Sequence, residues 1–467
     1  MLLRHLAFLC TCLAPLAQAS DYTALDRYVA APDASYSYTL VQTLKYTGLT
    51  AYQIDMVSQT WRSAAEVDKP VWHHWLTIYK PDQVTTSTAL LFIDGGSNSS
   101  SPSTPDPTTL AEAAGAGTVF ADLGQVPNEP LLFAGETTPR TEDAIIAYTW
   151  NKFLNGGDDY WPARLPMTKA AVRAMDTITA FLGSLSSGPV TVKNFVVAGA
   201  SKRGWTTWST AVVDPRVIAI APIVIDTLNV ENVFNSQYRA YGFWAPAVQD
   251  YYNAGVMNWF GTPQMVALLD IEDPYEYAGR LALPSFQMNS TGDQFFLPDS
   301  PRFYFSELPG EKYLRFLPNT DHSVVSTDTV NNLLAWYHAV LQNTPRPRFT
   351  WRTDPRGGSI VVRVVDTPSK VLVWSATNPS ARDFRLETIG PAWTSATLQG
   401  DNGVYTATVP MPAKGWTAFF VELTFPGVSP DLPLVFTTEV VVSPDEYPFD
   451  SPSGLRMANP RRPAPAR

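Results

Sequence analysis

Thiols are nearly missing from this chain of 467 residues: its only two cysteines, Cys10 and Cys12, both fall within the first nineteen positions. If that leader is removed, the remaining chain has no disulfide, no Cys-ligated metal and no Cys nucleophile. Charge is scarce as well, at 16% of residues, and acidic groups outnumber basic ones 43 to 33, for a formal net charge of -10. Such a surface repels phosphate backbones and anionic headgroups, so nucleic-acid binding is not expected. Beyond the leader no apolar run is long. The richest, about nine residues from Val217 to Ile225, falls short of the roughly 18–20 needed to cross a bilayer. Histidine is rare too, with five in all, which narrows any search for a general base.

What is present in quantity is apolar and aromatic: 45% of residues are hydrophobic, with 14 Trp, 20 Tyr and 23 Phe, enough to build a large core. That excludes a disordered chain and a single small module, and at about 100–200 residues per domain the length suggests two or three domains. Arg4 and His5, the apolar stretch Leu6 to Leu16 and the small-x-small site Ala17-Gln18-Ala19 have the build of a secretory signal. Residues 1–19 are therefore expected to be cleaved, leaving a soluble chain that is secreted or periplasmic.

Residues 40–80 alternate as strands do, for example in Tyr52-Gln53-Ile54-Asp55-Met56-Val57. From Ala89 the pattern changes to short, wholly apolar runs separated by helical stretches: Ala89–Ile93, Thr118–Ala121, Phe195–Ala198, Val217–Ile225, Ser285–Met288 and Tyr313–Leu317. Strands buried on both faces read this way, and their alternation with helices predicts a mostly parallel α/β sheet over residues 20–345. The aromatic stretch at about 227–280 exceeds a plain crossover and is expected to form a helical cap. Residues 346–443, β-rich and divided by Gly, Pro, Asn and Asp, predict a C-terminal all-β sandwich. Residues 444–467 are expected to be a disordered tail.

The sharpest local signal is Phe195-Val196-Val197-Ala198-Gly199-Ala200-Ser201-Lys202-Arg203-Gly204-Trp205, where an apolar strand meets a Gly-x-Ser turn and a helix begins. A tight strand-to-helix turn lifts a serine hydroxyl clear of the sheet and leaves the next backbone N–H free for a developing oxyanion, as in an α/β-hydrolase. The usual second glycine, two residues after the serine, is displaced here to Gly204. Read alone, Ser201 is as well explained as a buried helix cap. A nucleophile also needs a base and an orienting acid, in the order Ser, acid, His. Among the histidines, His5 leaves with the signal, His73 and His74 precede Ser201, and His338 lies within a helix; His322 alone follows a strand end. Asp293, 29 residues before His322 at the edge of the strand Ser285–Met288, is the preferred acid. Asp226 is its rival, and Asp321 the weaker alternative.

The oxyanion hole is expected from the backbone of Lys202 and of Gly96 or Ser97, where paired glycines allow close approach. A tight turn accounts for Gly95-Gly96 nearly as well. Glu129, in its Pro-rich loop, is a candidate for a substrate amine, although a turn-stabilising carboxylate is the better account. Trp150, Trp161, Trp244 and Trp259 are candidates to line a sugar or aromatic pocket, and Asp158-Asp159 hints only faintly at glycosidase chemistry. No metal-ligand set is visible and no cofactor is expected.

With these strings in view the chain resembles the PhoPQ-activated pathogenicity-related protein family, which also takes in autocrine proliferation repressor proteins. The resemblance covers about residues 35–345. It rests on Gly95-Gly96-Ser97-Asn98, Pro127-Asn128-Glu129-Pro130-Leu131, Arg140-Thr141-Glu142-Asp143-Ala144, Leu165-Pro166-Met167-Thr168-Lys169 and Gly199-Ala200-Ser201-Lys202-Arg203-Gly204-Trp205. It extends through Ile271-Glu272-Asp273-Pro274-Tyr275, Thr291-Gly292-Asp293-Gln294-Phe295-Phe296 and Pro318-Asn319-Thr320-Asp321-His322. The resemblance implies an α/β-hydrolase-like fold with a Ser201, Asp293 and His322 triad in an exported protein, and no settled substrate. The Gly-x-Ser-x-x-Gly turn is also similar to that of glucuronoyl esterases, and dipeptidyl peptidase-like folds share the triad order. Two functions follow as expectations: a secreted serine hydrolase acting on an ester or peptide bond of a small molecule or peptide, or a secreted signalling or binding protein on the same scaffold, with the C-terminal region as its contact surface.

Overall fold

A computed structural model of the chain describes residues 22–452 apart from 103, 105–109, 111, 113, 114, 325, 326 and 355–357. The proposed signal segment and residues 453–467 lie outside the described residues.

The chain enters through three antiparallel strands, β1 (Ser37–Tyr46), β2 (Leu49–Thr60) and β3 (Val71–Pro81). It continues into β4 (Thr88–Ile93), β5 (Val119–Leu123), β6 (Asn194–Ala200), β7 (Val217–Ile223), β8 (Ser285–Ser290) and β9 (Lys312–Leu317). The spatial order is β1-β2-β3-β5-β4-β6-β7-β8-β9, antiparallel up to β5 and parallel from there to β9. This is the expected α/β-hydrolase-like sheet, and its apolar runs are the parallel strands. Their side chains are buried on both sides because helices cover both faces. The helices Arg164–Gly183 and Lys202–Val213 pack on one face, and Thr329–Leu341, with Leu333, Trp336 and Tyr337 buried, on the other. The strand order reverses at β4, whose neighbours are β5 on one side and β6 on the other, and a crevice opens at the carboxyl ends of strands flanking such a reversal.

The stretch expected to be a cap holds the helices Val230–Tyr241, Gln249–Asn253 and Pro263–Glu272 with short 3-10 turns between them. Two β-hairpin-rich layers follow. One, of β10 (Phe349–Thr353), β11 (Ser359–Val364), β14 (Gly400–Asp401) and β15 (Val404–Thr408), is a separate four-stranded sheet. The other, of β12 (Lys370–Asn378), β13 (Thr394–Thr397), β16 (Trp416–Ser429), β17 (Leu432–Thr437) and β18 (Val441–Ser443), continues the central sheet, because β17 pairs with β9 at Thr437 and Leu314. Ile360, Val362 and Ala407 of the small sheet share one core with Phe419, Val421 and Leu423 of β16 and with Trp336 of the Thr329–Leu341 helix.

The tail expected from residue 444 does not begin there. Asp445 holds Arg302 at 2.7 Å, the Tyr447 ring lies between the guanidiniums of Arg239 and Arg382, and Phe449 N–H donates to the Arg239 carbonyl at 3.1 Å. These anchors come from distant segments, so the local composition that suggested disorder carries no sign of them. Among the described residues no helix is long and apolar enough to cross a membrane.

Candidate active site

Ser201 ends β6 and opens the helix Lys202–Val213, with φ 56° and ψ -127°. A residue with a β-carbon adopts this region only at a cost of about 1–3 kcal/mol, so its neighbours must enforce it. They do so by close packing. A β-carbon on Gly199 would lie 2.8 Å from the Arg203 carbonyl oxygen, and one on Gly204 2.9 Å from the Gly199 oxygen and 2.8 Å from the Ile225 side chain. The displaced second glycine is thus the residue where the first helical turn crosses the end of β6 and the segment after β7. Ser201 N–H donates to the Ile223 carbonyl at 2.8 Å, which pins the turn to β7.

His322 approaches from the loop after β9, its Nε2 2.8 Å from Ser201 Oγ and its Nδ1 2.8 Å from Asp293 Oδ2. Asp293 lies in the loop after β8, and its other oxygen accepts the Phe295 N–H at 2.7 Å. A carboxylate on Nδ1 favours the tautomer that carries its proton there and leaves Nε2 to accept from the serine hydroxyl. Gln294 holds the His322 backbone, its Oε1 accepting the main-chain N–H at 2.9 Å, and the Phe295 ring packs on the imidazole at 4.4 Å between centroids. The three residues singled out from strand ends are brought together.

The rival acids have other partners. Asp226 is buried and accepts from the Tyr304 hydroxyl; burial pushes its carboxyl well above the usual range. Asp321 turns back on its own loop, accepting from Ser323 N–H and Oγ at 3.0 and 2.6 Å, bonds that hold its carboxyl below the usual range.

As the first residue of its helix, Lys202 has a backbone N–H with no carbonyl one turn earlier to receive it. The loop after β4 reaches the same corner, for the Arg203 guanidinium packs against Gly95, where a β-carbon would meet Nη2 at 2.6 Å. Gly96 follows at φ 117°, and the Ser97 carbonyl accepts from Gln125 Nε2 at 2.9 Å.

A charged cluster braces this corner, and only part of it was legible beforehand. Lys202 Nζ lies 2.7 Å from Glu142 and 3.1 Å from Asp143, while Arg203 forks onto Glu142 with two bonds of 2.9 Å. Glu129 does not face the pocket. It accepts the Glu142 N–H at 2.5 Å and lies 3.8 Å from Arg203, the stabilising role that competed with amine binding. The two carboxyls part in opposite directions: Arg203 and Lys202 hold Glu142 low, whereas burial and the neighbouring Glu142 push Glu129 up, to about 7. Glu142 and Asp143 stand in one of the strings quoted above, and their place in the acidic first turn of the helix Glu142–Leu154 was the available signal.

Beside Ser201 lies a narrow pocket of about 30 Å³, walled chiefly by Trp150, Trp205, Phe234, Tyr251, Phe295 and Phe296, with Lys202, Asp143 and Arg164 as its charged members. Arg164 stacks 3.7 Å from the Trp205 centroid and pairs with Glu272 at 3.2 Å, and Glu272 also accepts from the Trp150 indole N–H. Of the four tryptophans named from sequence, Trp150 alone is among the wall residues. Trp161 packs on Trp61 and Arg62, and Trp244 on Phe234 and Tyr238. Asp158 and Asp159 hold Arg62 and Arg27 at the surface, so they are not a paired acid and base.

The family model described as PhoPQ-activated pathogenicity-related protein matches residues 25–385. The autocrine proliferation repressor protein A of Dictyostelium discoideum is 40% identical over 458 residues, with 92% of each chain covered. Among solved structures, acetyl xylan esterase 1 from Thermoanaerobacterium sp. JW/SL YS485 matches with a TM-score of 0.47 at 13% identity, covering 68% of this chain and 91% of that one. The acetyl xylan esterase from Paenibacillus sp. R4 matches at 0.48 and 13%, covering 68% and 92%.

Proposed function

The chain belongs to the PhoPQ-activated pathogenicity-related protein family, and from that premise we propose that it is an exported serine hydrolase that cleaves an ester or peptide bond through an acyl-enzyme. The observation that carries the reading is the unbroken chain from Ser201 Oγ through His322 to Asp293, two contacts of 2.8 Å, built on a serine held at positive φ.

Ser201 Oγ attacks the substrate carbonyl while His322 Nε2 takes its proton, and Asp293 stabilises the resulting imidazolium without itself being protonated. The carbonyl oxygen, now negative, is received by the backbone N–H of Lys202 and by one from Gly96 or Ser97. Each such donor is worth about 3–4 kcal/mol in the transition state. Collapse expels the leaving group, which takes the proton from His322. Water then adds to the acyl-enzyme with His322 as base, and release of the acid restores Ser201.

A fluorophosphonate, in which the serine oxygen displaces fluoride from phosphorus, tests nucleophile activation without a known substrate. The wild type is expected to be labelled, and Ser201→Ala and His322→Ala are not. Equal labelling of Ser201→Ala sinks the reading.

The name of the 40% identical relative favours a second reading, in which the exported chain represses proliferation by binding. Folded Ser201→Ala that retained full biological effect would favour it, and loss of effect would favour catalysis.

A further inference from the structure

The two loops that carry His322 and Asp293 do not stand on the hydrolase sheet alone. Asn319, three residues before His322, has φ 59°, and its side chain faces the backbone of Trp393 in the C-terminal region. Asn319 Nδ2 donates to the Trp393 carbonyl at 2.9 Å, and the Trp393 N–H donates back to Asn319 Oδ1 at 2.8 Å. The loop of the acid is held in the same way: the Leu386 N–H donates to the carbonyl of Gly292, the residue before Asp293, at 3.0 Å. Gly292 N–H in turn donates to the Thr320 carbonyl at 3.0 Å. Three segments converge at Gly292, where a β-carbon would sit 2.7 Å from the Thr320 oxygen and 2.8 Å from the Leu386 nitrogen.

Of the C-terminal partners, Trp393 is itself part of the core. Trp393 is buried against Phe420 of β16, at 5.4 Å between centroids, and Phe420 meets Phe316 of β9 at 6.1 Å. Nearby, Arg382 and Asp299 form a buried ion pair at 2.6 Å, exposed by 0% and 2%.

We propose that the C-terminal β-region is part of the catalytic apparatus, with Asn319 and Trp393 as positioning residues that set where the His322 loop lies relative to Asp293 and Ser201. This rests on the hydrolase reading above. A general base must be held at its productive distance, and a misplacement of about 1 Å costs on the order of a hundredfold. A reciprocal pair of hydrogen bonds to a buried backbone restricts the loop in a way that one exposed contact does not.

Asn319→Gly tests it in the full chain, because glycine accepts the positive φ while both bonds to Trp393 are lost. The rate constant for fluorophosphonate labelling is expected to fall about ten- to a hundredfold. With 4-nitrophenyl acetate the loss should appear in kcat at an unchanged KM, in protein whose circular dichroism matches wild type. Asn319→Asp tolerates the same backbone and keeps the acceptor for Trp393 N–H, so its rate should fall between the two. It carries the test should the glycine variant not fold, and a wild-type rate for the folded aspartate variant would then overturn the proposal. Labelling of folded Asn319→Gly at the wild-type rate, or a rise in KM alone, overturns it while the hydrolase reading stands. A wild type that is not labelled at all overturns both.

Discussion

Ser201 illustrates how far single residues determine this site. Its positive φ is tolerable because two glycines let the strand end and the first helical turn approach within van der Waals contact, and the turn closes only at that separation. Gly204→Ala should therefore lower stability by about 1–3 kcal/mol through overpacking against Ile225 and the Gly199 carbonyl. Urea unfolding measures it, and a change below about 0.5 kcal/mol would mean that the helix can shift at little cost. Most of this was readable in the string from Phe195 to Trp205, because the turn is made by consecutive residues. His322 was readable through scarcity, as the one histidine after a late strand end. The acid was readable as a preference, Asp293 ahead of Asp226 by its place at a strand edge before His322; the structure sets Asp293 on His322 and gives Asp226 to Tyr304.

At the level of elements, the loop with Glu129, the first turn of the helix Glu142–Leu154 and the first turn of the helix Lys202–Val213 are tied by Arg203 and Lys202. That coupling has a pH signature. Between about pH 4.5 and about pH 7 the folded chain retains on Glu129 a proton that the unfolded chain has released, so this group lowers stability as pH rises through the window. Glu142, held low, contributes stability that is present above about pH 4.5 and lost as pH falls toward about 2. Glu129→Gln should thus be more stable relative to wild type at pH 8 than at pH 4.5, as read from urea midpoints at both. A difference independent of pH would show that Glu129 is ionised throughout the window. Composition alone suggested a turn carboxylate here. The contact with Glu142, thirteen residues away, depends on how the loop folds back over the helix.

On the scale of the whole molecule, β17 on β9, the buried pair of Arg382 with Asp299 and the clamp on Asn319 join the C-terminal region to the hydrolase sheet through a shared core. Calorimetry is expected to show one unfolding transition. Arg382→Ala, which leaves the buried Asp299 only the longer pair with Arg302 at 3.5 Å, should destabilise that single transition by about 3 kcal/mol. Two resolved peaks, with only one sensitive to Arg382, would mean that the C-terminal region folds by itself. The sequence by itself determined the mostly parallel sheet, the β-rich character of the C-terminal region, and Ser201 and His322 as candidate residues, because apolar runs, turn glycines and a scarce residue type are local properties of the chain. Tertiary structure alone decided which tryptophan walls the pocket, that Glu129 turns to Glu142 and Arg203, and that one C-terminal layer extends the central sheet. Those outcomes rest on contacts between residues far apart in sequence, such as Asn319 with Trp393, whose formation depends on the packing of every element between them.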